Sequence, residues 1–208
     1  MNLPKKDKHG VSILSYSQIA TFKKSKADFY DRYILQKPFE GNEYTYFGLK
    51  VGEALEKNDF SLFSDPEKTI LKQVTRLHEF ERSVFLEYKD HGFYLVGYID
   101  TISEDFTRII DYKTGGLGKE KQYSDTEYNQ LHIYALAIKQ DLGLDVKDAS
   151  VEFIRRGGNA YRGQKLFVKD EKPIVIPQDL SEERLKHVYW DILSTAKEIE
   201  KFYKENKY

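Results

Sequence analysis

Two carboxylates and an amine crowd one short stretch of the chain: Asp100 in Gly97-Tyr98-Ile99-Asp100, then Asp111 and Lys113 in Ile109-Ile110-Asp111-Tyr112-Lys113. Both runs are β-branched and aromatic and read as strands. Glu104-Asp105-Phe106-Thr107 between them reads as a tight turn. With Asp105-Phe106 as a two-residue hairpin loop, Glu104 faces Thr107, Asp100 faces Asp111, and Tyr98 faces Lys113. Directly opposed residues hold their Cβ atoms about 4.5–5.5 Å apart. Side chains alternate along a strand, so Asp111 and Lys113 share a face. Two ionised carboxylates that close repel, and the pairing is costly unless a proton or cation sits between them. Hard oxygen ligands without Cys or a His cluster suit Mg²⁺ or Mn²⁺. An ion so held polarises a phosphoryl oxygen and lowers the pKa of a bound water. Lys113 beside it would stabilise developing negative charge. The plainer reading is an ordinary cross-strand ion pair between Asp100 and Lys113.

Two further features bear on this cluster. Gln130 and Tyr134 lie four residues apart on a helical stretch, so an amide and a phenol share one face. Such a pair can hold a phosphate or a stacked base, or simply be a half-buried helix face. Glu87, on the strand before Asp100, could complete a metal shell. A two-residue Asp90-His91 loop pairs Glu87 with Tyr94 and puts it on the Asp100 face; a loop of Asp90-His91-Gly92 pairs it with Leu95 and turns it away.

The elements that must position these residues follow from spacing. The first ten residues, and on to residue 14, read as a loose arm. Ser15-Tyr16-Ser17 offers an N-cap, and Ile19, Phe22, Ala27, Tyr30, Tyr33 and Ile34 follow at helical spacing. A second helix is expected over Tyr44 to Lys57. A third, opened by Asp65-Pro66, is expected to run to about His78. Strands are expected over Ser83–Lys89, Phe93–Ser103 and Arg108–Thr114. A flexible loop covers residues 115 to 125, and an amphipathic helix Thr126 to Leu142. Ala149–Arg155 is a fourth strand. A hairpin through Lys165–Val168 and Ile174–Ile176 comes next, and a terminal helix runs from Ser181 to Asn206. This is an α/β sandwich (α+β in its order) around a mixed sheet, not a repeating βα unit. One domain over residues 1–208 is expected.

Composition narrows the setting. Lys plus Arg is 33 and Asp plus Glu is 34, a net charge of −1, so binding of nucleic acid must come from local patches. The 16 Tyr and 13 Phe exclude a disordered chain and supply stacking surface. Cysteine is zero, which removes disulfides, thiol catalysis and iron–sulfur clusters together. No signal peptide is read at the N-terminus and no apolar run spans a membrane, so a cytoplasmic setting is expected.

Ser15-Tyr16-Ser17, Gly48 before Glu53 and Glu56, Glu87, Gly97-x-x-Asp100, Asp111-Tyr112-Lys113 and Gln130-x-x-x-Tyr134, in that order, resemble the RecB-like branch of the PD-(D/E)XK nucleases. The resemblance runs from about Ser15 to Tyr134. It implies a restriction-endonuclease-like core of αβββαβ topology. It implies Asp100, Asp111 and the main-chain carbonyl of Tyr112 as metal ligands and Lys113 as the catalytic lysine. Gln130 and Tyr134 would line the channel, and Glu87 would help to bind a second metal. The branch usually carries G-x-x-x-H on its first core helix; here Gly52 stands at the His position. Glu53 or Glu56 is offered as the substitute, or as a solvated acidic face, and the site as weaker or single-metal. The iron–sulfur accessory of some relatives is excluded.

Basic patches for DNA are Lys23 and Lys24 with Lys26, Lys119 and Lys121, and Arg155, Arg156, Arg162 and Lys165, interleaved with Phe22, Phe29, Tyr30, Tyr123, Tyr128 and Tyr161. Such mixing suits single strands; each cluster alone also reads as a solvated face. The expectation is a Mg²⁺- or Mn²⁺-dependent DNA exonuclease of recombination, repair or phage DNA processing, acting on single strands or duplex ends. It would work in a bacterial or phage-infected cytoplasm, with a helicase or recombinase as a possible partner and no membrane. The alternatives are a nucleic-acid-binding scaffold that has lost catalysis and an RNA endonuclease on the same scaffold.

Overall fold

The computed structural model describes residues 1–38, 40–124 and 128–206. Its elements are β1 (Lys5–Lys6), β2 (Ser12–Ser15), α1 (Tyr16–Lys24), α2 (Lys26–Phe29), α3 (Glu43–Lys57), α4 (Asp65–Leu71), β3 (Glu79–Tyr88), β4 (Phe93–Ile102), β5 (Arg108–Gly115), α5 (Gln130–Leu142), β6 (Asp148–Gly157), β7 (Phe167–Val168), β8 (Ile174–Pro177) and α6 (Glu182–Asn206). The central order is αβββαβ, and the sheet is mixed: β3–β4 and β4–β5 are antiparallel, β2–β4 and β5–β6 parallel. Helices cover both faces. One core joins α1, α5 and α6 through Ile19, Phe22, Leu131, Ile138, Ile192 and Ala196; the other joins α3 and α4 through Val51, Leu55, Ile70 and Leu71.

Local chemistry sets the helix ends. Ser15 and Gln18 form a capping box at α1, and the Asn42 side chain accepts from Thr45 N at α3. Asn58 and Gly143 close α3 and α5 in the left-handed conformation. The third helix ends at Leu71, well short of His78. The amides beyond it have tertiary partners: Thr75 N donates to Glu152 Oε2, Leu77 N to Thr101 Oγ1, and His78 N to Ile102 O. These bonds draw the chain out of the helix and into the sheet. The helix expected from Thr126 begins at Gln130; residues 126 and 127, like residue 125 of the expected loop, lie outside the described residues. Within that loop Lys119–Tyr123 forms a short 3₁₀ turn.

The loose arm expected over residues 1–14 is corrected. Leu3 and Leu14 are fully buried, Leu3 N donates to Ser12 Oγ, and β2 runs parallel beside Phe93–Val96 of β4. The segment's Lys residues and its short length hid the anchoring of Leu3, Ile13 and Leu14, which spacing alone does not reveal.

The register of β4 and β5 carries the site. Thr101 pairs with Ile110 and Ile102 with Ile109, as a two-residue turn at Asp105-Phe106 requires, but the ladder stops there. A strand has two edges, and β3 occupies one edge of β4 over almost its whole length. The other edge therefore serves β2 at Phe93–Val96 and β5 at Thr101–Ile102. Between them Gly97–Asp100 has no strand partner on that edge, and the sheet forks. We expect Leu3→Ala to lower unfolding stability by about 3 kcal/mol in urea titrations, as for other buried leucines; a change below about 0.5 kcal/mol, the surface range, would restore the arm reading.

Candidate active site

The fork is closed by side chains in place of the missing ladder. Asp100 Oδ2 accepts the Tyr112 amide at 2.7 Å, and the Tyr134 ring packs against Gly97. Gly97 makes the second contact possible: a Cβ there would lie 2.3 Å from Cε1 of the Tyr134 ring. Gly-x-x-Asp and Gln-x-x-x-Tyr are thus two halves of one packing unit across β4 and α5.

Behind the fork Asp111 is fully buried. Its Oδ2 lies 2.6 Å from Lys113 Nζ and 3.0 Å from the Tyr128 hydroxyl, and its Oδ1 accepts from Gln130 Nε2 at 3.2 Å. The same Gln130 amide donates to the Tyr134 hydroxyl, and the Tyr128 hydroxyl also reaches Gln130 Oε1. Tyr128 is a member of this network that sequence spacing assigned only to stacking. It precedes α5 and packs edge-on against Tyr16 and Tyr123.

Burial, then the Asp111 charge, pushes the Asp100 carboxyl up to about 7, against Lys113 and the Tyr112 amide, which pull it down. Burial pulls the Lys113 amine down, but Asp111 and Asp100 outweigh it and hold the amine above lysine's ordinary value. The ammonium is therefore a fixed positive charge. It retains 25% side-chain exposure and reaches the cavity on the α3 side.

That cavity, of about 470 Å³, is lined by Gly48, Gly52, Glu53 and Glu56 of α3, Glu81 of β3, Asp100 of β4 and Tyr112–Thr114 of β5. Glu81 was missed from sequence. The β3–β4 register places it opposite Asp100, although both drop out of the ladder and Glu81 has a left-handed backbone (φ 52°). Burial and then Glu56 raise its carboxyl above the ordinary range. The sequence signal was the register itself: Glu87 does pair with Tyr94, and the same register carried back along β3 reaches Glu81 at Asp100.

Glu87 is corrected. It shares that register but stands opposite Tyr94, six residues or about 20 Å along β4 from Asp100. It pairs with Lys89, and its backbone is bracketed by Gln140. Glu53 lines the cavity while paired to Lys57 at 2.5 Å, and Glu56 lines it beside them. A Cβ at Gly52, the position of the branch's His, meets nothing within 4 Å.

The basic patches divide. Lys23 is paired to Asp191; with Lys24 it lines a second cavity of about 550 Å³, whose walls include Tyr16, Tyr123 and Tyr128. Lys119, Lys121, Arg162 and Lys165 are exposed. Arg155 is corrected as a phosphate contact: Glu171 and Glu120, distant in sequence, already hold its guanidinium. Arg156 lies instead over the Tyr44 ring.

The donor set fits a hard cation. Glu53, Glu56, Glu81 and Asp100 face one cavity with Lys113 as its single cationic lining residue, so negative charge is in excess. Among the described residues no three acidic or imidazole side chains converge closely enough to enclose an ion as they stand.

Residues 62–205 match the profile of the PD-(D/E)XK nuclease superfamily, and the chain belongs to that family. Its members generally use divalent metal ions. Two solved structures are similar to it. One is a protein from Eubacterium rectale provisionally named an exonuclease: 12% identity, 93% of this chain, 82% of that one, TM-score 0.56. The other is LHK-Exo in complex with dAMP: 14% identity, 92% of each chain, TM-score 0.46. At such identities the first shows the fold alone. No curated protein matches. No helix among the described residues is long and apolar enough to cross a membrane.

Gly97→Ala is expected to cost about 1–3 kcal/mol from overpacking, and much less in a Tyr134→Ala background; additive losses in a double-mutant cycle would refute the contact. A native carboxyl near 7, against about 3.9 unfolded, binds more protons in the folded state across that interval. Stability therefore falls as pH rises from about 4 to about 7. Relative to the parent in EDTA, Asp100→Asn should gain on the order of 2 kcal/mol at pH 8, half the interval's value because a charged acceptor is lost. The gain should shrink towards pH 4.5 in urea titrations; a pH-independent difference would refute the displaced carboxyl.

Proposed function

We propose that the chain is a single-domain, divalent-metal-dependent deoxyribonuclease of the RecB-like branch, hydrolysing phosphodiester bonds at DNA ends. The observation that carries this reading is the fork: Asp100 bonds the Tyr112 amide across it, next along the strand to Asp111, and the Lys113 ammonium lies 2.6 Å from the Asp111 carboxylate. Gln-x-x-x-Tyr packed on Gly-x-x-Asp supports the branch assignment.

Asp100, Asp111, the Tyr112 carbonyl and Glu81 would hold Mg²⁺ or Mn²⁺, with Glu53 and Glu56 at the outer wall. One or two ions are compatible with this number of carboxylates. The ion supplies polarisation of a phosphoryl oxygen and acidification of water. Gln130, Tyr128 and Lys113 orient the Asp111 oxygens. Lys113, always protonated, faces the charge that grows on the phosphorane oxygens. Gln130 and Tyr134 close the channel behind the reacting phosphate. Lys24, Lys119, Lys121, Arg162 and Lys165 stand as solvent-facing contacts for the DNA backbone. The biological setting is DNA recombination, repair or phage DNA processing in a cytoplasm, with a helicase or recombinase as partner.

End-labelled single and double strands incubated with Mn²⁺ should give product ladders. Lys113→Ala and Asp111→Asn should lower turnover by at least about 100-fold with the fold retained. Glu87→Gln should cut at the parental rate, and Glu81→Gln should need more Mn²⁺ for half-maximal rate. Unchanged turnover in Lys113→Ala would end the assignment.

A further inference from the structure

Arg156, Tyr44 and Tyr161 form a stack that the catalytic cluster does not use. The Arg156 guanidinium lies 4.1 Å from the Tyr44 ring centroid, and the Tyr161 ring follows at 5.4 Å, tilted by 56°. Tyr44 is tied down through its hydroxyl. Its hydroxyl donates to Asn159 Oδ1 and accepts the Ala160 amide, tying α3 to the turn that carries Tyr161. Tyr161 itself is 85% exposed, with the Tyr44 ring against one side, so the rest of its ring is open to a partner. Arg156 Nη1 is buried without a hydrogen-bond partner, and Nη2 approaches Gly116, three residues past Lys113.

The stack adjoins the acidic cavity. Tyr44 and Gly48 are one turn apart on α3, about 6 Å along its axis, and Gly48 lines that cavity. On the facing strand, Arg155 next to Arg156 pairs with Gly115. A strand lying along α3 from Asp100 and Lys113 would therefore meet this stack next.

We propose that Tyr161, backed by Tyr44 and Arg156, is a stacking subsite for an unpaired base of single-stranded DNA, with Arg156 also attracting the adjacent phosphate. Inside a duplex the bases are stacked on both faces and only the two end pairs offer a face to Tyr161, so the subsite favours single strands over duplex. The proposal rests on the nuclease reading and names the substrate form of that site. An aromatic face with a cation beside it is the chemistry that holds single strands without reading their sequence.

The test is fluorescence anisotropy in EDTA, with a labelled single-stranded DNA 12-mer, the same sequence as blunt duplex, and its RNA counterpart. Tyr161→Ala should bind the single-stranded DNA roughly 5- to 150-fold more weakly, and Tyr161→Phe should restore it. Duplex affinity should change by less than about 2-fold, only the end pairs having a face to offer. Arg156→Gln should reduce the slope of log K against log salt by about 0.7 for the single strand. Thermal melts of each variant check that the fold is kept. Unchanged single-strand affinity in Tyr161→Ala, or a loss confined to duplex or RNA, overturns the subsite. If the parent cuts DNA with Mn²⁺ while Tyr161→Ala binds normally, the subsite fails alone; if the parent neither cuts nor binds DNA, both readings fail.

Discussion

Two carboxylates cannot share a buried site without compensation, and the neighbourhood of Asp100 and Asp111 is organised around that constraint. Asp111 has no exposure and answers with three hydrogen-bonding partners: an ammonium, a phenol and an amide. Asp100 is compensated less, with a backbone amide as its near partner, and it is the carboxyl whose affinity for a proton rises. The imbalance is chemically useful. A fully neutralised pair would have no affinity for a cation, whereas an uncompensated pair would open the sheet. One ammonium for two acids leaves a deficit that a proton or a metal can fill.

The sheet supplies the place for that deficit. Because β2 and β5 share one edge of β4, a short length of that edge has no strand to bond. The Tyr112 amide facing that gap takes its partner from a side chain, the Asp100 carboxylate, and the Tyr134 ring fills the space beside Gly97. The short motifs of this chain are consequently not only chemical. Gly97 contributes no functional group; it clears the path for a ring. Gln130 holds Asp111 and Tyr134 at once, so it couples the fork to the carboxylate behind it.

Much of this was legible from local rules. A two-residue turn at Asp105-Phe106 fixed Thr101 against Ile110 and Ile102 against Ile109, the pairs that end one step short of Asp100 and Asp111. The fork was not legible, since it depends on where β2, more than seventy-five residues upstream, lies against β4. For the same reason the N-terminal segment read as an arm: its anchoring is the burial of Leu3, Ile13 and Leu14 and the parallel pairing of β2 with β4, too short to show a period. Glu87 and Glu81 show how narrow the margin is. Both sit on the right strand in the right register, but the reach of a carboxylate is a few ångströms and the strand advances about 3.3 Å per residue. Counting along the pairing, rather than choosing the acid nearest in sequence, separates them.

Charge followed the same logic. Arg155 and Arg156 are adjacent and equally basic in the sequence, yet alternation sends them to opposite faces of β6. One meets Glu171 and Glu120 and is neutralised; the other meets an aromatic ring, which attracts a cation without cancelling its charge. In a chain whose net charge is −1, the position of a cation that no carboxylate neutralises matters more than the number of cations. On the proposed reading the acidic cavity repels a polyanion while no metal occupies it, so the first contacts with DNA lie outside that cavity. The Arg156 stack, one helical turn beyond Gly48, occupies such a position.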